Sequence, residues 1–227
     1  MKDDIIIISL GGSLIVPDDV DAGFLKDFRE LILAEVKRGR KFIIITGGGK
    51  ICRRYNAAAE KVREVTSEEL DWLGIHSTRF NAHLLRILFG EQAEHEIITD
   101  PMLPVEFEKP IVLGGGWRPG NSTDLVGIVL AEQVGAKTVV NLSNTDYIYD
   151  SDPKQNLKAK KIEKISWADY RALIPSEWKP GLSTPFDPVA SDLAEKEGIT
   201  VVVINGKPID NFRNFLNGEN FQGSTIS

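Results

Sequence analysis

Short apolar runs alternate along the chain with longer segments of helical periodicity. The clearest of them, 5–10 and 42–46, are almost continuously apolar and do not alternate with polar residues, which is typical of strands buried on both faces of a parallel sheet. The runs predict strands at about 5–10, 42–46, 95–99, 110–114, 137–142, 199–204 and 224–226. The segments between them place apolar side chains three and four residues apart, the spacing of an amphipathic helix. They predict helices at about 22–38, 50–63, 67–88, 123–135, 166–173, 187–197 and 208–217, and a hairpin at 147–161.

The order of these elements predicts the fold class. Helix 22–38 returns the chain from strand 5–10 to strand 42–46, and such a crossover should be right-handed. The alternation continues to the last residues without a linker rich in Pro, Gly or Ser. We therefore predict an α/β fold, a three-layer αβα sandwich around a mainly parallel central sheet. Residues 1–227 would form one domain with two lobes, about 1–120 and 121–227, joined near 115–125.

Composition excludes several classes of protein. The chain has 227 residues, of which 42% are hydrophobic and 26% charged, as in a soluble globular domain. Its net charge of −6 argues against a general nucleic-acid binder and leaves any anion site to local clustering. The first apolar run is too short for a signal peptide or a membrane span, so we expect a cytoplasmic protein. One cysteine and three dispersed histidines predict no metal site made of protein ligands alone.

Three of the predicted strands end in glycine turns, at Gly11-Gly12, at 47–49 and at 114–116. The carboxyl ends of parallel strands lie along one edge of a sheet, where ligands bind. A strand, a glycine turn and a helix start in succession present backbone N–H groups and a helix dipole to an anion. The turns therefore predict a phosphate site, although tight turns that merely need glycine are the alternative.

Two common phosphate motifs are excluded at the second turn. A Walker A loop needs Ser or Thr after its Gly-Lys pair, and Lys50 is followed by Ile51. The dinucleotide fingerprint counted from Gly47 needs a third glycine, and Cys52 stands there. A phosphate site at this turn must therefore be of another kind.

The order of the motifs resembles that of the amino acid kinase family. These motifs are SLGGS, TGGGK-x-x-R, DWLGIHSTRFNA, LGGGWRPGNSTD, NTDYIYDSDP and AKKI. Within the family the chain is similar to the uridylate (UMP) kinases, especially the archaeal type, from Ile5 to the last residues. The more discriminating part is Asp71-x-x-Gly-x-x-x-Thr78-Arg79-x-Asn81. The resemblance implies transfer of a phosphoryl group from ATP to UMP, Mg²⁺ with the ATP, and a homo-oligomer, a hexamer built from dimers.

The resemblance also implies roles for individual residues. Four are implied in catalysis: Ser9, Lys50, Asp124 and Asp187. The acceptor, UMP, would be bound by a larger set: Gly11, Gly12, Ser13, Gly47, Gly48, Gly49, Arg53, Asp71, Thr78, Asn81, Gly115, Asn121, Ser122 and Thr123. The donor, ATP, would be bound by Ser143, Asn144, Asp146, Tyr149, Asp152 and Lys161.

Departures from the family pattern keep other functions open. Ser9 stands where many relatives have lysine, and Lys50 is the substitute cation we expect. Tyr147 stands where relatives have a glycine that lets backbone approach the nucleotide. Trp117 and Arg118 are larger than expected in the acceptor loop. The alternatives are a kinase of the same fold for another small acid or phosphate, such as N-acetylglutamate or isopentenyl phosphate, or a non-catalytic nucleotide-binding storage or sensor oligomer. Isopentenyl phosphate kinases usually carry a histidine after the second glycine turn, and 50–56 has none.

Overall fold

The computed structural model describes residues 5–153, 155–176 and 184–227. The first four residues of the N-terminal segment and residue 154 of the predicted hairpin lie outside the described residues, as do residues 177–183. The strands are β1 Ile5–Leu10, β2 Lys41–Thr46, β3 Ile111–Gly114, β4 Thr138–Ser143, β5 Ile148–Tyr149, β6 Lys161–Ile162, β7 Lys164–Ile165, β8 Thr200–Asn205 and β9 Ser224–Ile226. The helices are α1 Gly12–Ile15, α2 Ala22–Lys37, α3 Gly49–Val62, α4 Ser67–Phe89, α5 Thr123–Val134, α6 Trp167–Leu173, α7 Pro188–Lys196 and α8 Ile209–Leu216.

Seven strands form one sheet in the order β3-β2-β1-β4-β8-β9-β7. All neighbouring pairs are parallel except β8 and β9, which are antiparallel. Strands β5 and β6 form a separate antiparallel pair, which confirms the predicted hairpin. The register places Ser9 of β1 beside Asn141 of β4, and Ile45 of β2 beside Gly114 of β3. The turns after β1, β2 and β3 therefore follow three adjacent strands at one edge.

The sheet is buried on both faces, as its continuously apolar strands predict. Side chains such as Ile8, Ile44 and Val140 belong to one core, together with the apolar faces of α2, α4 and α8. Their sequence neighbours Ile7 and Ile43 point the other way and pack with α5, α6 and α7. Each fully buried aliphatic side chain of this kind contributes about 1.5–3 kcal/mol. The predicted three-layer αβα fold with a mainly parallel sheet is confirmed.

The helix boundaries follow from the capping residues. Thr66 and Glu69 form a capping box at the start of α4, in which the Thr66 hydroxyl accepts from the Glu69 backbone and the Glu69 carboxylate accepts from the Thr66 backbone. This cap places Ser67 at the first helical position, as the predicted helix 67–88 requires. Asp21 and Ser122 cap α2 and α5 in the same way, each accepting from the N–H three residues on.

One predicted strand is wrong, and three short elements were missed: α1, β7 and a 3-10 helix at Gly90–Gln92. Residues 95–99 do not form a strand; this segment runs beside β3 and touches it only at isolated bridges, where Ala93 pairs with Ile111 and Ile98 with Gly114. The exposed His95 and Glu96 lie between those bridges, so pairing does not extend along the segment. Helix α1 and strand β7 were missed because four and two residues are too few to show a period. None of the described helices is both long enough and apolar enough to span a bilayer.

Candidate active site

The first and second glycine turns pack directly against each other. A methyl group added at Gly12 would lie 2.6 Å from the carbonyl carbon and oxygen of Gly47, and one added at Gly47 would lie 2.6 Å from the Gly12 nitrogen. Gly49 adopts a φ of +67°, which favours glycine, and begins α3. These distances permit no side chain at Gly12, because the contacts are with backbone atoms. The glycines therefore allow two strand ends to approach each other, and a larger residue at Gly12 or Gly47 would force the two turns apart.

Helix α4 ties the second and third glycine turns to one another. The Asn81 side-chain amide donates to the Gly47 carbonyl at 2.7 Å. The Thr78 hydroxyl accepts from the Gly116 N–H at 2.6 Å, and the Thr78 carbonyl accepts from the Thr46 hydroxyl at 2.8 Å. Thr78 and Asn81 are both buried. These two predicted site residues act on the turns, and the structure thereby groups the three turns at one edge.

The loop after the third turn is held by two further residues of α4. The Arg79 guanidinium donates to the carbonyls of Gly116 at 3.0 Å and Trp117 at 2.8 Å, and to Thr99 at 3.3 Å. Burial lowers the pKa of Arg79. Arg79 belongs to the discriminating motif, but no pattern in the sequence assigns it this role. Residues 79, 99 and 117 are far apart in the sequence and come together only in the tertiary structure.

Asp71, about two turns before Arg79 on α4, holds the same loop farther along. Its carboxylate accepts from the Gly120 N–H at 2.8 Å. Burial raises the pKa of Asp71, and the bond from Gly120 opposes that change. Within the loop, the Asn121 amide donates to the Pro119 carbonyl at 3.1 Å, and the Arg118 guanidinium lies 3.9 Å from the centre of the Trp117 ring. Ser122 and Thr123 then begin α5, whose N-terminus faces this edge of the sheet.

A pair of acidic residues lies beneath the first turn. The Ser9 hydroxyl donates to Asp124 Oδ1 at 2.8 Å. Asp124 is half-buried as a residue, but its carboxyl group is enclosed by protein, and this desolvation raises its pKa to about 7. The nearby Asp187 carboxylate adds to the rise, while bonds from the Ser9 hydroxyl and the Asp187 backbone N–H oppose it. Asp187 itself is buried and caps α7 through the Ala190 N–H at 2.8 Å.

The candidate cations differ in their surroundings. Lys50 forms an ion pair with Asp18 on the loop before α2, and Arg54 lies 3.5 Å from the same carboxylate. Arg53 is exposed, and among the residues that the structure describes it has no ion-pair partner. Lys50 is therefore already engaged, whereas Arg53 is available to an anion.

The predicted donor-binding residues lie around the end of β4 and the β5–β6 pair. The Ser143 hydroxyl accepts from the Thr145 N–H at 3.1 Å, and Asp146 accepts from the Asn205 side chain at 2.7 Å. Lys161 pairs with Glu163 at 2.8 Å, and its ammonium lies 4.6 Å from the centre of the Tyr147 ring. The remaining members of this set occupy the same segment: Asn144, exposed; Tyr149, half-buried and 6.5 Å edge-on from Tyr147; and Asp152, exposed.

The donors at this edge suit phosphate groups. They are backbone N–H groups of the first two glycine turns, the N-termini of α3 and α5, and cationic side chains, whereas the Gly115 and Gly116 N–H groups of the third turn are bonded to Ile98 and Thr78. Over the described ranges, no three His, Cys, Asp or Glu side chains are grouped so that they could hold a metal ion. The arrangement can therefore align and neutralise polyanions.

Comparisons with known proteins agree with this chemistry. The sequence model of the amino acid kinase family matches residues 4–205. The chain is 34% identical over 225 residues to a uridylate kinase of Pyrococcus abyssi, covering 97% of this chain and 98% of the relative. It is 36% identical over 208 residues to a uridylate kinase of Methanocorpusculum labreanum, covering 89% of this chain and 86% of the relative. The crystal structure of uridylate kinase from Archaeoglobus fulgidus superimposes with a TM-score of 0.83 at 29% identity, covering all of both chains.

Proposed function

The chain belongs to the amino acid kinase family, and on that premise we propose that it transfers the γ-phosphoryl group of ATP to UMP, giving UDP and ADP. The observation that carries the proposal is the grouping of three glycine turns at one edge of the sheet: Thr78, Arg79 and Asn81 of α4 hold the second and third turns, and the first turn packs directly against the second. That edge offers phosphate-binding groups over the width of three strands, which suits two nucleotides placed end to end.

The reaction needs alignment and charge neutralisation more than proton transfer. A phosphate oxygen of UMP, already deprotonated at neutral pH, forms a bond to the γ-phosphorus. The bond from that phosphorus to the β–γ bridging oxygen breaks, and the bridging oxygen leaves as part of ADP. The transition state is loose and spreads negative charge over the transferred group. Backbone N–H groups fixed in advance stabilise that charge without reorganising. No general base is required.

The proposed roles divide between the two lobes. The acceptor lobe, about 1–120, would bind UMP through the glycine turns, Arg53 and Asp71. The donor lobe, about 121–227, would bind ATP through the segment after β4, with Tyr149 beside the adenosine. Ser9, Lys50, Asp124 and Asp187 would act nearest the transferred group. The position of these residues at one sheet edge supports the assignment.

Mg²⁺ is part of the proposal, as the companion of ATP. The site residues supply donors for phosphate oxygens and do not form a cluster of metal ligands in the described part of the chain, so the ion would be held mainly by the ATP phosphates and water. Bound in that way it would neutralise phosphate charge, while Arg53 and the backbone N–H groups orient the phosphates.

We further propose that the protein forms a homohexamer and that it is located in the cytoplasm. Large apolar side chains on one helix, α4, support an interface there: Trp72 is 40% exposed, Phe80 67% and Ile87 66%. Their spacing places them along one stripe of the helix. Native mass spectrometry of wild type and Phe80→Glu tests this: the substitution should dissociate the assembly, and an unchanged mass would remove this face from it.

A panel of acceptors tests the proposed reaction. Purified protein, ATP and Mg²⁺ are combined with UMP, CMP, AMP, N-acetylglutamate or isopentenyl phosphate, and ADP release is followed by a coupled assay. We expect UMP to be phosphorylated far better than the others. Turnover of a different acceptor would indicate another kinase of the same fold, and nucleotide binding without ADP release for any acceptor would indicate a non-catalytic protein.

A further inference from the structure

The peptide that precedes α7 is held by one buried tyrosine. The Tyr170 hydroxyl accepts from the Phe186 N–H at 2.7 Å and donates to the Phe186 carbonyl at 2.8 Å. Tyr170 is fully buried, and this desolvation raises the pKa of its hydroxyl well above the usual range, so it remains a donor at any physiological pH. A single side chain of α6 thus satisfies both backbone groups of one residue.

A second buried side chain holds the residue before Phe186. The Asn141 amide, on β4, donates to the Pro185 carbonyl at 2.7 Å. Asn141 is only 5% exposed and lies beside Ser9 in the sheet register. Pro185 and Phe186 are therefore held by a strand of the central sheet as well as by α6.

The next residue along the chain, Asp187, faces the candidate transfer site. The Asp124 carboxylate accepts from the Ser9 hydroxyl, and the Asp187 backbone N–H lies near enough to that carboxylate to oppose the rise in its pKa. The Asp187 carboxylate lies close enough to Asp124 to raise the pKa of that group. Within the described residues, Tyr170 is the further titratable group that faces the Asp124–Asp187 pair. Any shift of the 185–187 peptide would move Asp187 relative to Asp124.

We propose that Tyr170 and Asn141 are positioning residues for phosphoryl transfer, which hold the 185–187 peptide so that Asp187 meets Asp124 beneath the first glycine turn. The inference rests on the proposed function, since it assigns these two carboxylates to the transfer site. It reaches beyond that function by naming two residues that touch neither nucleotide in the proposed arrangement. A displacement of about 1 Å in a reacting geometry can cost up to about a hundredfold in rate.

Steady-state kinetics of Tyr170→Phe and Asn141→Ala, with ATP and UMP, test the proposal. Both variants lose bonds to the peptide and keep the proposed nucleotide contacts. We expect kcat to fall by roughly tenfold in each, while the KM for UMP stays within about twofold of wild type. Because both residues hold the same peptide, the losses in the double variant should not add in log kcat.

Trp167→Phe is the matched control. Trp167 lies 6.2 Å from both the Tyr170 ring and the Phe186 ring, but its indole N–H donates to the Ile199 carbonyl at 3.1 Å, so Trp167→Phe keeps an aromatic ring in the cluster and removes no hydrogen bond to the 185–187 peptide. It should lower the melting temperature as the test variants do but leave kcat within about twofold. Assays run well below each melting temperature, and Asn141→Ala provides the test if Tyr170→Phe does not fold.

Two outcomes separate the inference from the function on which it rests. Wild-type protein that phosphorylates UMP, together with kcat values of Tyr170→Phe and Asn141→Ala equal to that of Trp167→Phe, would overturn the positioning role alone. Wild-type protein that releases no ADP with UMP would overturn the proposed function first.

Discussion

The hydroxyl of Ser9 donates a 2.8 Å hydrogen bond to the carboxylate of Asp124, which joins the end of β1 to the first turn of α5. The bond lies across 115 residues of sequence. Enclosure by protein and the nearby Asp187 raise the pKa of Asp124 to about 7, although the Ser9 hydroxyl opposes the rise. Asp124 therefore exchanges its proton near neutral pH.

The raised pKa of Asp124 predicts a pH-dependent stability. Its native pKa of about 7 lies above the ordinary value of 3.8, so between those values the native state holds a proton that the unfolded chain releases. The contribution of this group is therefore full below about pH 4 and is lost as pH rises through 7. Asp124→Asn removes the loss and should raise the free energy of unfolding at pH 8 by roughly 2–4 kcal/mol relative to its effect at pH 4. Urea unfolding at the two pH values measures it.

Asp192→Asn is the control for that experiment. Lys196 and then Arg171 lower the pKa of the half-buried Asp192, so its small contribution is present above its ordinary pKa and is lost as pH falls. Between pH 4 and pH 8 the effect of Asp192→Asn on the free energy of unfolding should therefore change little, whereas that of Asp124→Asn should change by the amount given above. An Asp124→Asn effect that is equal at both pH values would contradict the raised pKa.

Gly12→Ala should abolish most of the activity. The added methyl group would lie 2.6 Å from backbone atoms of Gly47, so the first two turns must separate. We expect kcat/KM to fall by at least tenfold, since N–H donors of both turns are displaced. Gly127→Ala, within α5, is the matched control. Its methyl group would lie 3.9 Å from Val139 of β4, an ordinary contact, and should stabilise the helix by about 0.5–1 kcal/mol. A fully active Gly12→Ala enzyme would argue against close approach of the turns.

Arg79→Lys should raise the KM for UMP severalfold and leave the KM for ATP nearly unchanged. Lysine keeps the charge but has no planar fork, so it cannot hold the Gly116 and Trp117 carbonyls together. Arg29→Lys is the control: Arg29 also donates to a carbonyl, that of Leu88, but at the far end of α4. Steady-state titration of each nucleotide measures the two KM values. Equal changes in both would show that Arg79 does not act specifically on the loop that binds UMP.

Asp18→Asn tests whether Lys50 is available to phosphate. Asp18 pairs with Lys50 in the structure, and the substitution releases the ammonium group. If Lys50 supplies the catalytic cation, Asp18→Asn should retain or increase kcat, while Lys50→Ala lowers it by roughly tenfold or more. Similar losses in both variants would show that the ion pair itself, a structural contact, is what matters. Asp19→Asn, which removes an exposed neighbouring charge, is the control.

The local elements of this fold could be predicted from particular residues. Strand β1 is apolar over nearly its whole length, and the helical spacing of Phe24, Leu25 and Phe28 predicted α2. These predictions succeeded because burial on two faces demands continuous apolarity and burial on one helix face demands a period of 3.6 residues. Residues 95–99 failed because a short apolar run does not say how far it will pair with a neighbour.

The amino-acid sequence alone determined the αβα architecture, the glycine turns at strand ends and the family, since each of these follows from patterns of residues close together in the sequence. The tertiary structure alone decided that Arg79 holds the acceptor loop, that Lys50 meets Asp18, and that Tyr170 holds the Phe186 peptide. The physical reason is distance along the chain: these contacts join groups up to tens of residues apart, and no local propensity or period encodes which distant partners a folded core will bring within 3 Å.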